Sequence, residues 1–151
     1  MSVHRFRPRY RTLALGASGA GGAVAVLGAI AGPAALPIVT GALGVVLGIA
    51  YLRSSIWKLA ITADATGLAV GAPGAQPKFT IAWGDIVRVT ASPSTKTCHV
   101  NGGDAGKSFL VPGPGATAAY SIEDRETLFD AILAHTPKDR VKIVDTIERA
   151  S

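Results

Sequence analysis

Cysteine is nearly absent from this chain of 151 residues, and its single thiol, Cys98, cannot form an intramolecular disulfide. One unpaired cysteine suits a reducing compartment. The three histidines, His4, His99 and His135, lie far apart in the sequence, and His99 would face the opposite side of a strand from Cys98. This spacing predicts neither a zinc site nor a cysteine–histidine nucleophile pair. We therefore expect no metal and no cofactor.

Charged side chains are absent from forty consecutive residues, 13–52. A helix that rises 1.5 Å per residue needs about 20 residues to cross a hydrocarbon core of about 30 Å. The run therefore predicts a transmembrane hairpin over residues 13–53, with helices at about 13–31 and 34–52. The reversal is expected at residues 32–37, where prolines are tolerated more easily than inside a span. A signal peptide ending at Ala29-Ile30-Ala31 is the alternative for the first span.

Acidic residues are missing from the first 58 positions, which hold six basic ones. Because cationic flanks resist translocation, we expect residues 1–12 to be a basic cytoplasmic tail and both termini to be cytoplasmic. Residues 59–151 carry nine basic and ten acidic side chains, so nucleic acid is not an expected partner. The expected partner of the flanks is a bilayer with anionic headgroups. The residues predicted to contact its surface are Arg5, Arg7, Arg9, Arg11, Tyr51, Arg53, Trp57 and Lys58.

Small residues recur one helical turn apart in both predicted spans. The positions predicted to pack helices together are Ser18, Gly22, Gly28, Gly32, Gly44 and Gly48. Such spacing lets two helix backbones approach closely. Two arrangements satisfy it: packing of the two helices within one hairpin, and association of several copies into a homo-oligomer.

The composition changes to that of a soluble domain at about residue 54, and we assign residues 54–136 to it. Alternating apolar residues and turn residues predict strands at about 56–62, 68–70, 79–83, 86–91, 95–100 and 108–111. Residues 101–108 end like a phosphate-binding loop, which would make Lys107 a phosphate ligand of a nucleotide-dependent enzyme. Such a loop needs a glycine where Asn101 stands and a helix directly after it, whereas an extended run with prolines follows here. A strand-connecting turn is therefore the prediction.

An apolar stripe after Tyr120 predicts one amphipathic helix at about residues 122–135, ended by Thr136-Pro137. The stripe consists of Leu128, Phe129, Ile132 and Leu133, and the acidic residues Glu123, Asp124, Glu126 and Asp130 are assigned to the solvated face. Residues 137–151 form a tail for which a short second helix is one interpretation. The predicted fold class is thus a two-helix transmembrane hairpin followed by an α+β domain.

Two segments and the final helix resemble small bacterial membrane proteins that carry a pleckstrin-homology-like (PH-like) domain. Residues 57–68 contain the pattern Asp64-x-x-Gly67-Leu68, and residues 81–89 contain the hallmark Trp83, Asp85 and Ile86. The resemblance implies an antiparallel sheet or partial barrel, capped by the C-terminal helix, at the inner face of a bacterial cytoplasmic membrane. Residues 63–67 lack the basic side chains of phosphoinositide-binding members, so that ligand is not expected.

The resemblance implies a binding and assembly module. We therefore predict a membrane-anchored, non-catalytic module that recruits or organises proteins at the cytoplasmic face, through an unidentified protein partner. The alternative is a structural subunit of a homo-oligomeric membrane assembly formed through the glycine-rich helices.

Overall fold

The computed structural model describes residues 1–32, 35–145 and 147. The chain divides into two compact units, one of residues Pro8–Ser55 and one of residues Met1–Arg7 together with Ile56–Ser151. The first unit is a helical hairpin, and the second is a sheet-rich domain. The hairpin is therefore an insertion within the sequence of the sheet domain.

Two long helices form the hairpin unit, which confirms the two helices predicted from the uncharged run. They are α1, Arg11–Ile30, and α2, Ala35–Leu52. Gly32 follows α1 with a φ of 129°, a conformation that favours glycine. Pro37 lies in the first turn of α2, where its missing N–H costs no helical hydrogen bond. It was expected in the reversal, of which residues 33–34 lie outside the described part of the chain.

The N-terminal segment is a strand, β1, Ser2–Pro8. It pairs antiparallel with β2, Ala60–Ala63, so that His4 lies opposite Ile61. His4 and Phe6 are buried, whereas the arginines between and after them are exposed. The interpretation of residues 1–12 as a basic tail is therefore wrong for Ser2–Pro8. Every second side chain of this basic segment belongs to the interior of the sheet domain.

The remaining strands complete two sheets. They are β3 Gly67–Gly71, β4 Phe79–Ala82, β5 Arg88–Ser92, β6 Thr97–Asn101, β7 Ser108–Val111, β8 Tyr120–Ile122 and β9 Val141–Ile143. One sheet has the strand order β4-β3-β2-β1-β8, and the other has the order β7-β6-β5-β9. The pairing of β5 with β9 is parallel, whereas consecutive strands from β1 to β4 and from β5 to β7 pair antiparallel. The sheets form no closed barrel in the part of the chain that the structure describes.

The predicted C-terminal helix is α3, Arg125–His135. Leu128, Phe129 and Ile132 are buried in one core with side chains of both sheets, as the apolar stripe predicts. The helix starts three residues later than predicted because Tyr120–Ile122 pairs as β8. Thr136 ends it as predicted, and its N–H donates to the Ile132 carbonyl oxygen at 3.0 Å.

Two further segments differ from their predictions. The expected first strand at 56–62 begins only at Ala60, because Ser55–Lys58 forms a 3-10 turn. In the tail, Lys138–Arg140 forms another 3-10 turn and β9 follows it, so a second α-helix is not present among the described residues. Within β9, the apolar residues Val141 and Ile143 alternate with Lys142, as in a strand.

Phe6 provides a test of the strand assignment, because its ring is 8% exposed and packs at 5.0 Å from the ring of Tyr120. We expect Phe6→Ala to lower the free energy of unfolding of the sheet domain by about 3 kcal/mol, since it leaves a cavity in the core. Val3→Ala, on the exposed face of the same strand, should change it by no more than about 0.5 kcal/mol. Urea unfolding in mild detergent, followed by tryptophan fluorescence, measures both. Equal, small effects would mean that residues 2–8 are not part of the folded domain.

Candidate functional site

The outer surface of the hairpin is apolar. Two helices, α1 and α2, are long and apolar enough to cross a membrane. Large apolar side chains on both are mostly exposed, among them Leu13 at 69%, Ile30 at 77% and Leu36 at 82%. A core helix of a soluble domain buries such side chains, whereas a helix in lipid presents them to the acyl chains.

The inner surface of the hairpin is built from glycines. A Cβ atom added to Gly21 would lie 2.7 Å from the Gly41 carbonyl oxygen, and one added to Gly41 would collide with the Gly21 carbonyl oxygen. The helices are therefore in backbone contact at this pair. Neither residue was among the predicted packing positions. Two sequence patterns of small residues could have indicated them: Gly21-x-x-x-Ala25, and Gly41 two helical turns before Gly48.

The predicted packing residues have different environments in the hairpin. A Cβ atom added to Gly28, Gly44 or Gly48 would lie in close contact with the opposite helix, and at Gly48 it would meet Ser18. A Cβ atom added to Gly22 would have a looser contact, 3.8 Å from Val45 Cγ2. Gly32 has open space around it and serves the chain reversal. Most of the small-residue pattern is thus used within one hairpin.

The ends of the two helices are joined by a tyrosine. The Tyr10 backbone N–H donates to the Tyr51 hydroxyl at 3.0 Å. This bond satisfies a donor at the start of α1, which has no side-chain cap of its own. The predicted interfacial residue Tyr51 therefore also holds the open end of the hairpin together.

The residues predicted to contact lipid headgroups lie in several different elements. Arg5 and Arg7 belong to β1, and Arg7 pairs with Glu123, which the sequence analysis assigned to the solvated face of the helix. Arg9 lies 6.0 Å from the centre of the Tyr10 ring, and Arg11 begins α1. The others, Arg53, Trp57 and Lys58, follow α2. Contact of all eight residues with lipid stays a prediction.

Glu123 is the point at which β1 is attached to the segment before α3. Its N–H donates to the Arg5 carbonyl oxygen at 2.9 Å, and its own carbonyl oxygen accepts from His4 Nδ1 at 3.1 Å. The other ring nitrogen of His4 is hydrogen-bonded to the Ser2 hydroxyl at 2.9 Å. A buried histidine with both nitrogens bonded is a structural residue of this strand.

The two motifs that carry the family resemblance meet in space. The buried indole of Trp83 donates from Nε1 to the Asp64 carbonyl oxygen at 3.0 Å, and the Trp83 backbone N–H donates to the Thr66 carbonyl oxygen at 3.2 Å. Asp64 accepts from the backbone N–H groups of Thr66 and Gly67, so the β2–β3 turn is closed around its carboxylate. Trp83 is thus a core residue, as predicted, and fixes this turn.

The other face of Trp83 meets the end of α3. The imidazole of His135 stacks on the indole, with 4.6 Å between ring centres and 19° between planes. Ile86 is fully buried, and Asp85 is exposed at the end of the 3-10 turn Trp83–Asp85. Trp83 thus joins the β2–β3 turn, through Asp64, to the end of the C-terminal helix, through His135. These contacts give Trp83 a structural role.

The segment 101–108 is a closed turn between β6 and β7. Asn101 Oδ1 accepts from the Gly103 N–H, and Asp104 Oδ1 accepts from the Gly106 N–H. The Lys107 N–H donates to the Asp104 carbonyl oxygen at 2.9 Å. Since these N–H groups are bonded inside the turn and a strand follows, the prediction of a strand-connecting turn is confirmed.

Reactive side chains are few in the described residues. Burial raises the pKa of the Cys98 thiol to about 12, so the thiol stays protonated at neutral pH. Among residues 1–32, 35–145 and 147, no three histidine, cysteine or carboxylate side chains are grouped as metal ligands would be.

Comparison of the chain with protein-family models, with curated proteins and with solved structures finds no match.

Asp64 makes a pH-dependent contribution to stability. Hydrogen bonds from the Thr66 side chain, the Thr66 N–H and the Gly67 N–H hold the pKa of its carboxyl below the ordinary value of 3.8. Its stabilising effect is therefore full above pH 3.8 and is lost as the pH falls through the lower folded-state pKa. We expect Asp64→Ala to lower the Tm at pH 7 and to lose this effect in acid.

Circular dichroism melts at a series of pH values measure this dependence. Asp139→Ala, on an exposed turn, is the matched control and should leave the Tm unchanged. A Tm difference between wild type and Asp64→Ala that stays constant into acid would contradict the assigned role of the carboxylate.

Proposed function

We propose that this protein is a membrane-anchored, non-catalytic module that recruits or organises proteins at the cytoplasmic face of a bacterial membrane. One observation supports this proposal above the others: the hairpin is inserted between β1 and β2, which are hydrogen-bonded neighbours of one sheet. The chain thus leaves the domain through one strand, forms two apolar helices and returns through the adjacent strand.

This insertion supports a two-span topology. Residues on both sides of the hairpin pair with each other, so they must lie on the same side of a membrane that the hairpin crosses. Cleavage of a signal peptide at residue 31 would remove β1 with its buried Phe6, which argues against that alternative. The six basic residues at the flanks favour the cytoplasm as the side that holds the domain.

The strand arrangement supports a PH-like domain as the finer description. Four strands in chain order, β1 to β4, pair antiparallel in one sheet, and β5 to β7 do so in the other. A helix follows and inserts Leu128, Phe129 and Ile132 between them. The hydrogen bond from Trp83 to the Asp64 carbonyl oxygen joins the two motifs that carry the resemblance, so both have a structural role in this domain.

A binding role is favoured over catalysis by the chemistry of the described residues. The thiol of Cys98 is buried and protonated, and the turn at 101–108 uses its own N–H groups. The sheets end in open edges, where a partner segment can add by backbone hydrogen bonds. The sheet domain therefore offers edges at which a partner segment can dock.

The alternative, a homo-oligomeric structural subunit, has one favourable observation. Gly16 and Gly19 on α1 have open space where a Cβ would lie, so they are not used in the hairpin. Another helix could approach this side of α1 closely. The recruitment proposal assigns that side to lipid.

Site-specific photo-cross-linking of the full chain in its native membrane separates the two proposals. A benzophenone side chain is placed in turn at exposed sheet-domain positions, Thr80, Lys107 and Glu126, and at Gly19 on α1. Recruitment predicts a discrete adduct with a different protein from the sheet domain and none between copies at Gly19. The buried Ile81 provides the control position, which should give no adduct.

An adduct at Gly19 of twice the 15.4 kDa chain mass, with no protein adduct from the sheet domain, would support the structural subunit and contradict recruitment. Adducts confined to lipid at all positions would contradict both proposals.

A further inference from the structure

The C-terminal strand β9 occupies the edge of β5 by a parallel pairing. Its three residues run parallel to β5, with Thr90 next to Lys142 and Ala91 next to Ile143. The Val144 N–H continues the ladder and donates to the Ala91 carbonyl oxygen at 2.9 Å. Parallel pairing is slightly weaker per residue than antiparallel pairing, and this ladder is short.

Side-chain hydrogen bonds to backbone carbonyl oxygens hold both ends of this segment. Arg140 Nη1 donates to the carbonyl oxygens of Gly84 and Ile86, at 2.6 and 2.8 Å. At the other end, the hydroxyls of Ser92 and Ser94 donate to the Asp145 carbonyl oxygen at 2.7 and 2.9 Å. The β5 edge and its surroundings thus recognise an extended segment with an arginine before the strand.

Two of the three side chains of β9 contribute little burial. Lys142 is exposed and Ile143 is 57% exposed, whereas Val141 is partly buried and packs against the core. The strand is therefore attached by its backbone hydrogen bonds and by one apolar side chain. An identical strand from another source would satisfy the same groups.

The connection to this segment is extended. Thr136 has φ and ψ of −87° and 131°, and Pro137 has values of −54° and 136°. Thr136 itself is fixed to the helix, because its hydroxyl donates to the Ile132 carbonyl oxygen at 2.7 Å. Residues from Lys138 onward can therefore leave by rotation at this extended joint without unwinding α3.

We propose that the segment Lys138–Asp145 of one copy can occupy the β5 edge of a second copy, so that two membrane-anchored chains are joined by exchange of β9. Each hydrogen bond that the closed chain loses is regained in the exchanged pair, so the balance depends mainly on the local concentration of copies. Anchoring in one bilayer raises that concentration. Reciprocal exchange closes a dimer with the same interface on both copies.

This inference goes beyond recruitment of a different protein and requires only that copies share a bilayer. Its test uses cysteines at the register pair, Thr90→Cys in one full-length copy and Lys142→Cys in another, with tags of different size. Both are reconstituted together in vesicles of phosphatidylethanolamine and phosphatidylglycerol and oxidised. The native Cys98 can stay, since it is buried and protonated.

We expect a disulfide-linked heterodimer at about fivefold or more the yield from the mismatched pair Thr90→Cys and Lys138→Cys, because only the register pair meets disulfide geometry. A single chain with both Thr90→Cys and Lys142→Cys should form the intrachain disulfide and shows that the register is correct. The heterodimer yield should rise with the ratio of protein to lipid.

Efficient intrachain closure without any heterodimer would overturn the exchange. A dimer formed mainly between two Lys142→Cys copies would also overturn it, since it would show pairing through the outer edge of β9. Failure of the double variant to close would contradict the register on which the proposal depends.

Discussion

The antiparallel pairing of β1 with β2 is the constraint on which the rest of the structure depends. Four residue pairs, from Ser2 with Ala63 to Arg5 with Ala60, connect the segments before and after the hairpin. They place β1 between β2 and β8, so the five-stranded sheet is continuous only when the N-terminus is present. His4 and Phe6 then fill the interior, and Glu123 is bonded to β1 just before α3 begins.

The same pairing connects the membrane anchor to the proposed role. The chain enters and leaves the hairpin through two neighbouring strands of the sheet domain. The glycine contacts between α1 and α2 and the bond from Tyr10 to Tyr51 hold the hairpin itself closed. In the proposed role both units contribute: the apolar hairpin serves as the anchor, and the sheet edges bind partners.

The sequence predicted the features that depend on local composition. Forty uncharged residues indicate two helices, and the stripe of Leu128, Phe129 and Ile132 indicates α3. β1 was missed because its arginines dominate its composition, although the alternation of His4 and Phe6 with charged residues was a strand pattern. β9 was missed because three residues carry too little periodicity to separate strand from helix. The turn between β2 and β3 was predicted, but the contact of Trp83 with Asp64 was not, because the spacing of the two motifs does not specify which of their residues meet in the fold.

Amide hydrogen exchange on two forms of the sheet domain tests the central claim most directly. One form is the isolated chain from Ser54 to the C-terminus, and the other joins residues 1–8 to residue 59 through an Asn-Gly turn in place of the hairpin. The account predicts slow exchange in β2 and β3 only for the joined form, because the isolated chain lacks β1. Equal protection of β2 and β3 in both forms would show that the domain folds without its N-terminal strand and would contradict the account.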